Sequence, residues 1–145
     1  MKDSTVLVLI IIVAFLTFSY DSILSDIKDC LEIQKDKSKR CLILMIAFGH
    51  HLFSIFGFFG WLFNNKIILS IYILSLVAMV ILWKINSGKC FITMSITKLS
   101  NNDNYKKFND IYKITGIKKL IRPRYLYYGS LGICLSIALF KLIKY

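Results

Sequence analysis

Four apolar runs separated by basic connections set the pattern of this 145-residue chain. Cys41 to Phe63 runs for 23 residues without an Asp, Glu, Lys or Arg, and Ile67 to Trp83 runs for 17 between Lys66 and Lys84. Tyr125 to Leu142 adds 18, with Lys141 as its only charge, placed where it can snorkel. A helix crosses a bilayer core of about 30 Å with roughly 20 apolar residues, so each run predicts a transmembrane helix. The first run, Val6 to Tyr20, is 15 residues long and reaches spanning length once Ser4, Thr5 and Asp21–Leu24 are included. The fold class predicted is all-α: an integral membrane four-helix bundle in a single domain. Its spans lie near 5–24, 41–63, 67–83 and 125–142, with a basic loop over 84–124. Asn64-Asn65-Lys66 is so short a link that the second and third spans form an antiparallel hairpin.

Outside the spans, spacings of three and four predict short amphipathic helices on the cytosolic side. Ile23, Leu24, Ile27, Cys30 and Leu31 share a face, continuing the first span over Asp21–Gln34. Tyr105, Phe108, Ile111 and Tyr112 share another over Asn104–Thr115, which Gly116 ends. Lys106–Arg124 holds seven Lys or Arg, each able to contribute about 1 kcal/mol of attraction to anionic lipid. A solvated connector accounts for that segment almost as well as an interfacial anchor.

Charge then orients the bundle. With four retained spans, fifteen Lys and Arg fall in Asp21–Arg40 and Lys84–Arg124, against Lys2, Lys66, Lys141 and Lys144 on the other side. The positive-inside rule puts both long connections in the cytosol and both termini outside. A cleaved signal peptide is the alternative for the first run, with Thr17-Phe18-Ser19 as its small-residue site. Cleavage there costs one crossing and inverts the bias, so a retained anchor is the better reading.

Composition agrees. Hydrophobic residues make up 57% of the chain and mean hydropathy is +0.63, above the roughly 45–50% apolar content of soluble domains. Abundant Ile, Lys, Phe and Tyr beside scarce Gly, Ala, Arg and Pro match an AT-rich genome, as in some parasites and large DNA viruses. The net charge of +11 sits between apolar runs, which favours anionic lipid over nucleic acid as its partner. Cys30, Cys41 and Cys90 fall on the reducing cytosolic side and make no C-x-x-C pair, so free thiols are expected. A Cys41–Cys90 bridge requires that side to be oxidising. Cys134 reads as an inert apolar thiol.

Candidate chemistry is sparse. His50 and His51 lie near the middle of the second span, where an ionisable side chain costs several kcal/mol unless neutral, paired or hydrated. Gly49, Gly57 and Gly60 fall on one face and form a seam for close helix approach. His50 borders that seam and reads as a neutral histidine bonded across it, while His51 points more nearly away. Proton relay, haem and metal ligation compete for the same residues, and a metal needs more donors than one span offers. Gly129, Gly132 and Ser136 make a second seam in the last span, whose natural dock is the Gly49–Gly60 face. No cofactor is implied. No hydrolase, zinc-protease, phosphate-loop or dinucleotide motif occurs, so no enzyme is expected. Asp21, at the end of the first span, is its only acidic residue after Asp3, which counts against an ion-coupled transporter with a buried carboxylate.

Gly49-His50-His51, Phe56-Gly57, Gly60-Trp61-Leu62, a second span ending in Trp83, then Asn86, Gly88, Cys90 and Thr93 carry a resemblance. The stretch resembles a family of small polytopic membrane proteins, bacterial with apparent relatives in large DNA viruses. Its bacterial members carry a Cys-Pro-Leu-Thr motif after a membrane hairpin. Here the motif reads Cys90-Phe91-Ile92-Thr93, and Ile96 and Thr97 stand where the family has an acidic residue. The resemblance covers about residues 49–97, singles out Cys90, and implies membrane hairpins but no activity.

The sequence therefore predicts a non-enzymatic component of a cellular or viral membrane, assembling with itself or other membrane proteins through its glycine seams. A small channel or transporter centred on His50 and His51 is the alternative. The topology is checked by cysteine-accessibility labelling. Probes at Ser38 and Asn102 are expected to label only from the cytosolic side, and labelling from outside intact cells would overturn it.

Overall fold

The computed structural model describes residues 2–24, 26–86, 90–101 and 123–144. The helices are α1 (Asp3–Leu24), α2 (Asp26–Ile33), α3 (Lys37–Phe59), α4 (Lys66–Ile85), α5 (Phe91–Ser100) and α6 (Pro123–Lys144). A 3₁₀ turn, Gly60–Leu62, extends α3. The protein is all-α among the described residues, and α1, α3, α4 and α6 are long and apolar enough to cross a membrane. Their outer faces expose large apolar side chains such as Leu7, Phe15, Leu16, Leu74, Ile133 and Phe140. That is the reverse of a soluble helix, which hides its apolar stripe.

Local chemistry sets the helix starts. Asp36 caps α3, its Oδ1 accepting from the amides of Ser38 at 2.8 Å and Lys39 at 3.4 Å. The helix thus begins four residues before its apolar run. Asn65 caps α4 in the same way through the amides of Ile67 and Ile68. Each cap pairs orphan donors of a first turn.

Packing joins the helices in two pairs. Val6, Ile10 and Ala14 of α1 bury against Ile55 of α3 and Phe63 beyond it, while Leu69, Tyr72 and Leu76 of α4 bury against Leu131, Cys134 and Ala138 of α6. At the opposite end from the α3–α4 turn, Ile27 and Cys30 of α2 and Ile96 of α5 close over Ile43 and Ala47 of α3. Gln34 ties this cap together, its side-chain amide donating to the Leu99 carbonyl while its Oε1 accepts from the Asp36 amide at 3.1 Å.

The α3–α4 turn is held from both sides. Lys141 of α6 donates to the carbonyls of Trp61 (3.1 Å), Leu62 (3.4 Å) and Phe63 (2.7 Å), and to Asn64 Oδ1 (3.0 Å). Asp3 of α1 accepts from the Asn64 and Asn65 amides at 2.8 and 3.0 Å. One cation takes the acceptors and one anion takes the donors.

Some expectations hold and others are corrected. The amphipathic segment after α1 forms α2, whose Ile27 and Cys30 turn inward onto α3 and α5. Lys141 reaches the α3–α4 turn, whose carbonyls accept from it. The last span docks chiefly on α4 through Leu131, Cys134 and Ala138, while Gly129, Gly132 and Ser136 face outward. Gly49 also faces outward, with nothing within 4 Å of a Cβ built there. Gly57 and Gly60 do pack against another helix as expected, but it is α4, through Leu76 and Tyr72, and not the last span. Cys41 and Cys90 are free thiols, as the sequence led us to expect. Helix α5 lies inside the expected basic loop and was missed, although Ile92, Ile96 and Leu99 carry its spacing. The Asn104–Thr115 helix and nearly all of Lys106–Arg124 lie outside the described residues.

The two glycine environments give opposite expectations. A Cβ at Gly60 would fall 2.3 Å from Tyr72 Cδ2, and that ring is tethered by its hydroxyl donating to the Gly57 carbonyl at 2.8 Å. Gly60→Ala should therefore cost about 1–3 kcal/mol through overpacking. Gly49→Ala meets open space and should be neutral, or stabilising by up to about 1 kcal/mol from helix propensity. Unfolding in detergent, followed by circular dichroism, checks both. Lys141→Met strips three carbonyls of their donor and should lose about 2–4 kcal/mol, taking roughly 1–3 per buried unpaired group with partial relaxation.

Candidate functional site

Two stripes meet where α1 crosses α3. Val6, Ile10, Ala14 and Asp21 lie on the buried face of α1, at spacings of four, four and seven. Ile43, Ala47, His51 and Ile55 lie on that of α3, at spacings of four. Alanines at 14 and 47 leave room for close approach, and this helix pair makes the most extensive contact in the bundle. Each Cα–Cβ bond leans toward its own helix N-terminus, so on these antiparallel helices Asp21 leans toward the α3–α4 turn and His51 away from it.

Asp21 and His51 meet at that crossing. His51 Nε2 lies 3.2 Å from Asp21 Oδ2, and the side chains are only 4% and 0% exposed. Phe18 stands edge-on to the His51 ring, with centroids 6.1 Å apart, and packs at 5.4 Å against Phe48. Asp21 occupies the last turn of α1, where the helix dipole disfavours a carboxylate. An imidazole N–H directed at Oδ2 is the compensation. The arrangement orients the His51 ring across the α1–α3 interface.

His50 continues the polar track on the adjoining face. Its ring centroid is 6.1 Å from that of His51, with the planes 75° apart. Nε2 lies 3.5 Å from Ser54 Oγ, and Nδ1 lies 3.9 Å from Cys90 Sγ at the start of α5. Both contacts are satisfied when the Cys90 thiol donates to Nδ1 and Nε2–H donates to Ser54. His50 is half-buried, so the track leads from a sealed aspartate–histidine pair to the edge of the cap that α2 and α5 form. The two rings are too far apart for a direct hydrogen bond, and proton passage between them requires a rotation or a bridging water.

His50 bonds across an interface as expected, though to Cys90 of the α5 start and not across the glycine seam. His51, which points away from Gly49, is bonded across the α1–α3 interface to Asp21. The seam chosen from the glycines misled, because Gly49 lies on the open side of α3. The signal in the sequence is the spacing that puts Asp21 a heptad after Ala14 and His51 four residues after Ala47. Among the described residues no three His, Cys, Asp or Glu side chains converge in a way that holds a metal ion. Cys134, mid-helix in α6, is buried and donates to the Phe58 carbonyl at 3.7 Å.

Removing one partner of a buried pair strands the other. Asp21→Ala or His51→Ala alone should cost about 3–5 kcal/mol, and replacing both with apolar residues, Asp21→Leu with His51→Leu, should restore much of that loss. A double-mutant cycle on unfolding in detergent reads the coupling, expected at 1 kcal/mol or more in order of magnitude. Additive losses would show that the two residues act separately.

The functional meaning of this pair rests on its geometry alone, since the chain matches no family model, no curated protein and no solved structure.

Proposed function

We propose that this chain is a multi-pass membrane protein with both termini on the non-cytosolic side, and that it moves or senses protons through Asp21, His51 and His50 as a small channel or transporter. The membrane placement is supported by four helices of spanning length with apolar outer faces. The orientation is supported by the lysine-rich connections, whose helices α2 and α5 pack together at one end of the bundle.

The observation that carries the proton reading is the buried Asp21–His51 contact. Helices in lipid associate well through apolar and small side chains, and a buried ionic pair is often no more stabilising than apolar residues of similar volume. A titratable pair held at that depth, with a second histidine and a thiol beside it, is what proton transfer requires. The sequence favoured an assembly component because the second span offered no carboxylate partner. Asp21 is that partner.

The assembly reading keeps one observation in its favour. Gly129, Gly132 and Ser136 face outward on α6, as a second helix docking there would need.

Reconstituted proteoliposomes separate the two. Under the proton reading, wild-type flux changes between about pH 5 and 8, the range in which histidine changes charge. His51→Gln and Asp21→Asn should abolish it in folded protein, and His50→Gln should reduce it. A wild-type protein that inserts and shows no flux across that range would return the assignment to an assembly role.

A further inference from the structure

A pair that exchanges protons has to meet water, and Asp21 and His51 are sealed from it. The two ways out are unequal. Toward the α3–α4 turn, the stretch from Asp21 back to Asp3 is roughly 27 Å long at 1.5 Å per residue. It is packed through Val6, Ile10 and Ala14 against Ile55 and Phe63. In the other direction α1 ends at Leu24, roughly 5 Å beyond Asp21. The short way is closed by the cap, where Ile27 and Cys30 of α2, Ile96 of α5, and Ile43 and Ala47 of α3 bury one another completely.

The cap is built to part more readily than the bundle beneath it. Helix α2 has eight residues and α5 ten, lengths that are marginal without tertiary support. Residues 34–36 leave the helical path between α2 and α3, which gives α2 a joint on that side. Helix α5 lies along α3 from His50, 3.9 Å from Cys90 at its start, to Gln34 at its far end. Gln34 is buried and spans the two parts. Its Oε1 accepts from the Asp36 amide, and its side-chain amide, so aimed, donates to the Leu99 carbonyl. Parting α5 from α3 uncovers the flank of Ala47 and His50, where a water can bridge the two imidazoles.

We infer that the α2–α5 cap is the gate through which the Asp21–His51 pair reaches water, and that Gln34 is its latch. The gate rests on the proton reading, whereas the opening of the cap can be observed without it. Local opening of this kind costs less than global unfolding. Cys30 reports it, because its thiol is buried in the closed cap while that of Cys41, near the start of α3, is exposed.

Maleimide labelling of the full chain in proteoliposomes, resolved for each cysteine by mass spectrometry and run beside proton flux, tests it. In the wild type Cys30 should label slower than Cys41 by about tenfold or more. Gln34→Leu removes the latch and should speed Cys30 labelling and flux together, roughly two- to tenfold for one net hydrogen bond. Cys134, buried in α6, should stay unlabelled, which separates local opening from unfolding. A second arm leaves Gln34 in place. A maleimide on Cys30 holds the cap apart, so wild-type flux should rise as Cys30 labels, and flux through Cys30→Ala should not respond. Cys30 labelled as fast as Cys41 in the wild type, labelling unaltered in Gln34→Leu, or faster labelling with flux unaltered would each overturn the gate. Absence of flux from every protein, with Cys30 still opening in Gln34→Leu, would instead retire the proton reading and the gate with it, while the opening of the cap stands.

Discussion

In apolar surroundings every backbone carbonyl and amide needs a partner within the protein, and around residues 60–65, with the last turn of α3, this chain meets that demand beyond its α-helices. Helix α3 ends there and α4 begins. The Gly57 carbonyl accepts from Tyr72, and that of Phe58 accepts from Trp61 and Cys134. The next carbonyls accept from Lys141, and the amides beyond them donate to Asp3. Three other helices thus contribute side chains to one turn. The bundle's arrangement follows, because α6 is anchored to residues 61–64 and α1 to Asn64 and Asn65 by opposite charges.

The Asp21–His51 pair sits toward the other end and obeys the same rule for side chains. A carboxylate in the last turn of α1 faces the unfavourable end of that helix's dipole and is wholly buried. It is tolerated where α3 presents an imidazole in register. Helices α2 and α5 complete the seal, and their contact through Ile27, Cys30 and Ile96 explains how an eight-residue and a ten-residue helix are stable at all. Such short helices are marginal alone.

The spans were legible because they depend on a local quantity, a run of about twenty apolar residues, while the caps Asp36 and Asn65 that set the helix starts emerge from the structure. The antiparallel hairpin was legible from three polar residues between two runs. The partners of His51 and Lys141 were not, because pairing across 30 and 78 residues leaves no local trace. Ranking α3's faces by glycine placed the packing surface at Gly49. The apolar spacing of Ile43, Ala47 and Ile55 identifies the buried face, with His51 in its midst. Glycine in a helix reports that something comes close, but Gly60 meets a tyrosine ring and Gly49 meets no side chain of this chain.

The clasp on the turn also has a history in time. Phe63 leaves the ribosome 78 residues before Lys141 does. At about 5–20 residues per second that interval is roughly 4–16 s. Throughout it the hairpin exists while the carbonyls of Trp61, Leu62 and Phe63 await their ammonium. The nascent turn must stay among headgroups and water, and the last helix, on arriving, relieves it of that hydration.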